Sequence, residues 1–151
     1  MMQFKNSLII NRPVDEVFTY IADFENMPTW NYFVLAVRKT TPGRIGLGTT
    51  FFQTRKTDVQ QYTITEYETN SRVTVETIPP APALQMRFTF EPVGSSTRLT
   101  DEWVVSGGLI GILGPLAAGR VKAAVAENLA KLRQLLETGE VRLQDGRAIR
   151  I

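Results

Sequence analysis

The chain contains no cysteine and no histidine. The first absence rules out disulfides, thiolate nucleophiles and cysteine-ligated metals. The second removes imidazole as a base or ligand, which excludes zinc sites of the usual kind and any Ser-His-Asp or Cys-His mechanism. A carboxylate-only metal site needs clustered Asp and Glu, and no suitable spacing occurs. Neither a metal nor a cofactor is expected. Catalysis, if any, falls to Asp, Glu, Lys, Arg, Tyr, Ser, Thr or backbone groups. No basic run with interleaved aromatics is present either. The 17 Lys and Arg and 15 Asp and Glu are scattered, so a net charge of +2 does not describe a nucleic-acid surface. The N-terminal MMQFKNSLII lacks the long apolar region and small-residue cleavage site of a signal peptide. The uncharged run from Trp103 to Gly119 reaches the lower length limit of a membrane span, but it begins as an alternating strand and carries five glycines and Pro115. No stable membrane insertion is expected, and a cytoplasmic location is the default.

What is present suits a single globular domain. The 151 residues are 43% hydrophobic and 21% charged, enough for a sizeable core. The longest helical pattern begins at Leu116. Val121, Val125, Leu129, Leu132 and Leu136 recur at helical steps, Glu127 and Lys131 form an i,i+4 pair, and Gly139 suits a left-handed C-terminal cap. Gly107, Gly108, Gly111, Gly114 and Pro115 precede it as a hinge, read either as a gate or as a simple packing bend. Upstream, Phe4 to Ile10 reads as a strand. Pro13 opens a short amphipathic helix to Asp23, with Val14, Val17, Phe18 and Ile21 on one face. Asn26 to Trp30 reads as a second helical turn. Short strands follow at 32–40, 49–57, 60–69, 72–78, 84–91 and 97–105, separated by Pro and Gly turn signals. Together they suggest one antiparallel meander.

Several phrases, taken in order, resemble one superfamily: Ile10-Asn11-Arg12-Pro13-Val14 entering the first helix; Met27-Pro28-Thr29-Trp30; Pro42-Gly43 through Gly48-Thr49-Thr50-Phe51; Tyr62 to Glu68 with Arg72-Val73; and Gly94 with Thr97-Arg98-Leu99-Thr100. This is the START-like, or SRPBCC, superfamily, in particular its polyketide cyclase/dehydrase-like branch. The resemblance implies an α+β helix-grip fold, in which a seven-stranded antiparallel sheet wraps a long C-terminal helix, with two short helices after strand 1. Its members bind lipids, sterols, polyketides and other apolar molecules, and some are cyclases or dehydratases. The domain is expected to span residues 1–139. Residues 140–151 fall outside the pattern, and Asp145-Gly146 is a hairpin signal. The tail is either a docked or paired hairpin or a disordered end.

The residues expected to line a cavity are Phe18 and Trp30 from the small helices, Phe52, Tyr62, Ile64, Val75, Thr77, Met86, Phe88, Phe90, Leu99 and Trp103 from strands, and Val121, Val125 and Leu129 from the long helix. All of them also suit plain packed core. Asp101 shares the phase of Leu99 and Trp103. A carboxylate there is either buried, and then of functional interest, or left in water by a bulge. Arg55, in phase with Phe51 and Gln53, and the Tyr62 hydroxyl are the other catalytic candidates. Three readings follow: a protein that binds, carries or senses an apolar small molecule; a cyclase or dehydratase-type enzyme using Asp101, Arg55 and Tyr62; and an interaction module whose tail (Val141, Leu143, Ile149, Ile151) mediates a homodimer. On the last reading, a chain ending at Gly139 is expected to stay folded.

Overall fold

Alternation in the strand sequences and a helical stripe at the C-terminus produce the expected α+β helix-grip architecture. The computed structural model describes residues 1–106 and 115–151. The glycine-rich hinge read at 107–114 lies outside the described residues. β1 (Met2–Ile10), α1 (Val14–Ala22) and a 3-10 helix (Phe24–Thr29) precede β2 (Val34–Lys39), β3 (Thr50–Arg55), β4 (Val59–Glu68), β5 (Arg72–Thr77), β6 (Leu84–Val93) and β7 (Ser96–Val105). The long helix α2 (Pro115–Thr138) follows, then β8 (Glu140–Arg142) and β9 (Ala148–Arg150). The sheet has seven strands in the order β1-β7-β6-β5-β4-β3-β2, every pair antiparallel. The first strand therefore pairs with the last rather than with the second.

Strand periodicity decides which side chains face α2. On β6, Leu84, Met86, Phe88 and Phe90 are buried between partly exposed neighbours, as alternation requires. On β7, Thr97, Leu99 and Asp101 are buried. A register shift between Ile64 and Glu66 on β4 lets Tyr67 join the inner face, where its ring meets that of Phe18 edge-on. β3 corrects one expectation. Phe51 and Gln53 are the buried residues, so Phe52 lies on the outer face, under the guanidinium of Arg38.

The long helix is gripped unevenly. Val125, Asn128, Leu129, Leu132 and Leu135 are buried, and Leu136, expected on the inner stripe, is only partly so. Between 117 and 124 no side chain is fully buried. The sequence explains the difference: Ala117, Ala118, Gly119, Ala123 and Ala124 populate the first turns and leucines the last ones. The C-terminal end of α2 is tied to the β1–α1 corner. Arg12 donates from Nε to the carbonyl of Leu136 at 2.9 Å and from Nη2 to that of Glu137 at 3.1 Å. A cation there satisfies carbonyls that lack helical partners and opposes the negative end of the helix dipole. Gly139, at φ +84°, closes the helix by donating to Leu135 O.

Of the alternatives for residues 140–151, the structure has the docked hairpin. Val141 pairs with Ile149, Gly146 sits in the turn at φ +91°, and Val141 and Leu143 are 4% and 3% exposed within the main core. We propose on that burial that the folding unit includes the hairpin beyond Gly139. Truncating Leu143 to Ala is expected to cost about 2–4 kcal/mol, the usual range for a buried leucine, measured as a lowered urea midpoint at unchanged slope. A chain ending at Gly139 is expected to unfold well below the full-length protein in thermal melts. Equal melting temperatures would show that the hairpin contributes nothing to the core.

Candidate functional site

A pocket of about 390 Å³ remains between the N-terminal half of α2, β3–β4, β6–β7 and the segment after the 3-10 helix. That volume lies at the lower end of the range for small-molecule sites. Its α2 wall is Arg120, Val121, Ala124, Val125 and Asn128. Met86, Phe88, Asp101 and Trp103 form the sheet wall, and Trp30 to Val34 close one side. Gln53, Arg55 and Tyr62, on the strands beside that segment, complete the lining. An open groove of about 920 Å³ between α1 and the far end of α2 is larger, but its lining includes Arg12, Asp15, Glu16 and Asp23 and holds none of the expected site residues. Its shape is that of a cleft between surface elements, so the enclosed pocket is the candidate site.

Seven of the fifteen residues expected to line a cavity do so: Trp30, Tyr62, Met86, Phe88, Trp103, Val121 and Val125. The others serve elsewhere. Phe18 and Phe90 stack edge-on at 5.1 Å beneath α1. Ile64, Val75, Leu99 and Leu129 are packed core, each at most 1% exposed. Phe52 is on the outer face. Thr77 points the right way but is consumed by the β5–β6 loop, donating to Pro82 O and accepting from the Leu84 N–H, both at 2.9 Å.

The three catalytic candidates all border the pocket, and their partners differ. Arg55 makes a two-pronged ion pair with Asp58, each contact 2.6 Å, and its guanidinium lies over the Phe33 ring. The Tyr62 hydroxyl donates to Gln60, with Gln53 also beside it. Burial pushes that phenol up to about 12, with the nearby Arg55 acting against the shift, so it stays protonated at neutral pH. Asp101 is the group with capacity to spare. It is 2% exposed, its Oδ2 accepts from Trp103 Nε1 at 3.1 Å, and its Oδ1 is buried without a partner. Desolvation raises its carboxyl to about 7, opposed only in part by the Trp103 hydrogen bond. The alternation on β7 is thus unbroken through Asp101, and the carboxyl is not left in water.

Sequence reasoning missed two polar members. Gln53 and Asn128 are 5% and 6% exposed. Gln53 was in phase with Phe51 and Arg55, and Asn128 lies three residues after Val125 on the helical stripe. Both signals are the same one: a polar side chain on an apolar phase. Among the described residues no cluster of Asp, Glu, His or Cys has the arrangement of a metal site, and no helix is long and apolar enough to cross a membrane.

Comparison with known proteins bears on the fold and family. A START superfamily protein from Mycobacterium smegmatis superposes with a TM-score of 0.70 at 18% identity, covering 91% of this chain and 95% of that one. The Aha1 dimer from Colwellia psychrerythraea gives 0.68 at 14% identity, over 92% and 98%. CalU16 from Micromonospora echinospora gives 0.65 at 15%, over 90% and 76%. At these identities the likeness is one of fold. No curated protein matches the sequence. A family model described as polyketide cyclase / dehydrase and lipid transport matches residues 1–137. With its helix-grip sheet and hydrophobic-ligand-binding fold, the chain belongs to that family.

Proposed function

We propose that this protein binds an apolar small molecule, of lipid, sterol or polyketide-like size, in the pocket beneath the first turns of α2, and acts as its carrier or sensor. The observation that carries this reading is the makeup of the pocket wall. Its surface is mainly aliphatic and aromatic, and it holds a buried Asp101 oxygen without a partner. An unpaired buried polar atom is costly, and a bound hydroxyl or amine would satisfy it. The fitting ligand therefore has an apolar body and at least one hydrogen-bond donor. The family's description, which includes lipid transport, supports the same reading.

A second reading, a cyclase or dehydratase-type enzyme, is favoured by one specific observation. A carboxyl held near 7 populates both protonation states at neutral pH and so suits general acid or base work. Asp101 would move the proton. Arg55 and Tyr62, held by Asp58 and Gln60, would orient the substrate. Of the tail residues behind the interaction-module reading, Val141, Leu143 and Ile149 pack on the chain's own core, and Ile151 is exposed.

Titration with 8-anilinonaphthalene-1-sulfonate is expected to give saturable fluorescence enhancement. Ala124→Trp, which adds bulk at an exposed position on the pocket wall, is expected to weaken it at least tenfold with little change in melting temperature. Unaltered binding in that variant would place the dye elsewhere and sink the pocket reading. Native mass spectrometry of protein purified from cells is expected to carry a displaceable added mass.

The raised carboxyl makes a separate prediction. Between the ordinary Asp value of 3.8 and about 7, the folded state holds a proton that the unfolded state has released. The contribution is therefore fully present below about pH 4 and is lost as pH rises through 7, a loss of a few kcal/mol at 1.4 kcal/mol per unit. Stability of the wild type minus that of Asp101→Asn should fall from pH 5 to pH 8, and carboxyl-detected NMR should give a midpoint near 7. A flat difference with a midpoint near 4 would remove Asp101 as a proton-transfer group.

A further inference from the structure

The C-terminal hairpin lies beyond the residues 1–137 that match the family, yet its turn touches the pocket wall at several points. Gln144 Nε2 donates to Asn128 Oδ1 at 3.0 Å. Asn128 is buried and lines the pocket from α2. A carboxamide carries its acceptor and its two donors on opposite branches of one planar group, so holding the oxygen from the tail sets where the NH₂ goes. The Gln144 bond takes up the Asn128 oxygen alone, and the NH₂ is not among the buried atoms left without a partner, so it keeps access to the pocket space that Asn128 lines. On the neighbouring wall, Arg147 Nη2 donates to the Tyr32 carbonyl at 3.2 Å. Asp145 accepts from Lys56 Nζ at 3.2 Å, and the Lys56 N–H in turn donates to the Phe33 carbonyl at 3.0 Å. Arg147 Nε braces Asp145 at 3.0 Å. Tyr32 and Phe33 both line the pocket. The hairpin thus spans two walls of the site, the helix and the lip after the 3-10 helix.

We infer that this hairpin is a working part of the ligand site. Gln144 is a positioning residue that fixes the Asn128 amide with its NH₂ toward the bound molecule, and Asp145 and Arg147 hold the Tyr32–Phe33 lip against it. The inference rests on the ligand-binding reading and extends it. The ligand must present an acceptor oxygen (carbonyl, ether, carboxylate or sulfonate) to the α2 wall, in addition to the donor that Asp101 calls for. A molecule with an apolar body alone leaves the buried Asp101 oxygen unmatched and the Asn128 NH₂ unused.

The test uses the full-length protein and 8-anilinonaphthalene-1-sulfonate, whose sulfonate supplies acceptor oxygens. Gln144→Ala is expected to weaken binding about three- to tenfold, the worth of one hydrogen bond, chiefly through faster dissociation in stopped flow. Gln144→Glu, which cannot donate to Asn128 Oδ1 and turns the amide round, is expected to weaken it further. In an Asn128→Leu background neither change should matter. Equal losses with and without Asn128 would mean that the hairpin acts by some other route and would overturn the assignment. So would wild-type affinity and dissociation in both Gln144 variants. If the wild type shows no saturable binding, the pocket reading fails and this inference fails with it. Affinity retained by the wild type but insensitive to Gln144 sinks this inference alone. A readout free of ligand separates positioning from loosened folding. The Asn128 side-chain amide signals should move in Gln144→Ala while the backbone amides of Leu132 and Leu143 keep their shifts. Immobile Asn128 signals count against the proposal.

Discussion

The structure depends on an imbalance in side-chain size along one helix. A strongly curved sheet closes on α2 only as far as the helix's side chains fill the space between. Leu129, Leu132 and Leu135 fill it completely and are no more than 1% exposed. Arg120, Val121, Ala124, Val125 and Asn128, which wall the pocket, do not. Close packing is the rule in protein interiors, so a helix that is bulky at one end and slight at the other must leave a void at the slight end or tilt to remove it. Tilt is opposed by Arg12 and Gly139, which anchor the bulky end to the β1–α1 corner and to the tail. The pocket is the volume that remains.

Much of this was legible in the sequence. The alternation of Leu84, Met86, Phe88 and Phe90 needs no tertiary information, and the inward phase of Asp101 follows by counting from Leu99. The order of short motifs carried the fold. Other features were not legible, each for a physical reason. On β3, Phe51 and Phe52 are adjacent aromatics, so either phase buries one ring. The choice was made by the pairing with β4, in which Phe51 sits opposite Tyr62, and Phe52 found a cation on the outer face instead. The hairpin was ambiguous because Val141 and Leu143 alternate correctly, but nothing local says which surface they will cover. The size gradient in α2 was in plain view, yet periodicity registers only whether a position is apolar, and alanine and leucine count alike.

Three polar groups of the pocket share a pattern. Each is held by a residue outside the pocket: Arg55 by Asp58, Tyr62 by Gln60, Asn128 by Gln144. Asp101 departs from the pattern in keeping one oxygen unmatched. Anchoring from behind fixes the direction of a group before any ligand arrives, so that less ordering is left to binding itself. That unmatched oxygen, almost fully removed from water, is where a hydrogen-bond donor on a ligand has most to gain.

The sheet order has a consequence for how the chain reaches this state. β1 is made before every other strand of the sheet, and its partner is β7, with Ile10 opposite Thr97 and Met2 opposite Val105. Some ninety residues must be made before the strand has anything to pair with, and pairing across such separations is the slow part of folding. Until then β2 to β6 can zip hairpin by hairpin while Phe4, Leu8 and Ile10 stay uncovered. Between the making of β1 and that of β7 the emerging chain thus carries a strand with one apolar face and two bare edges, a template for wrong partners that is retired only when the last strand of the sheet arrives.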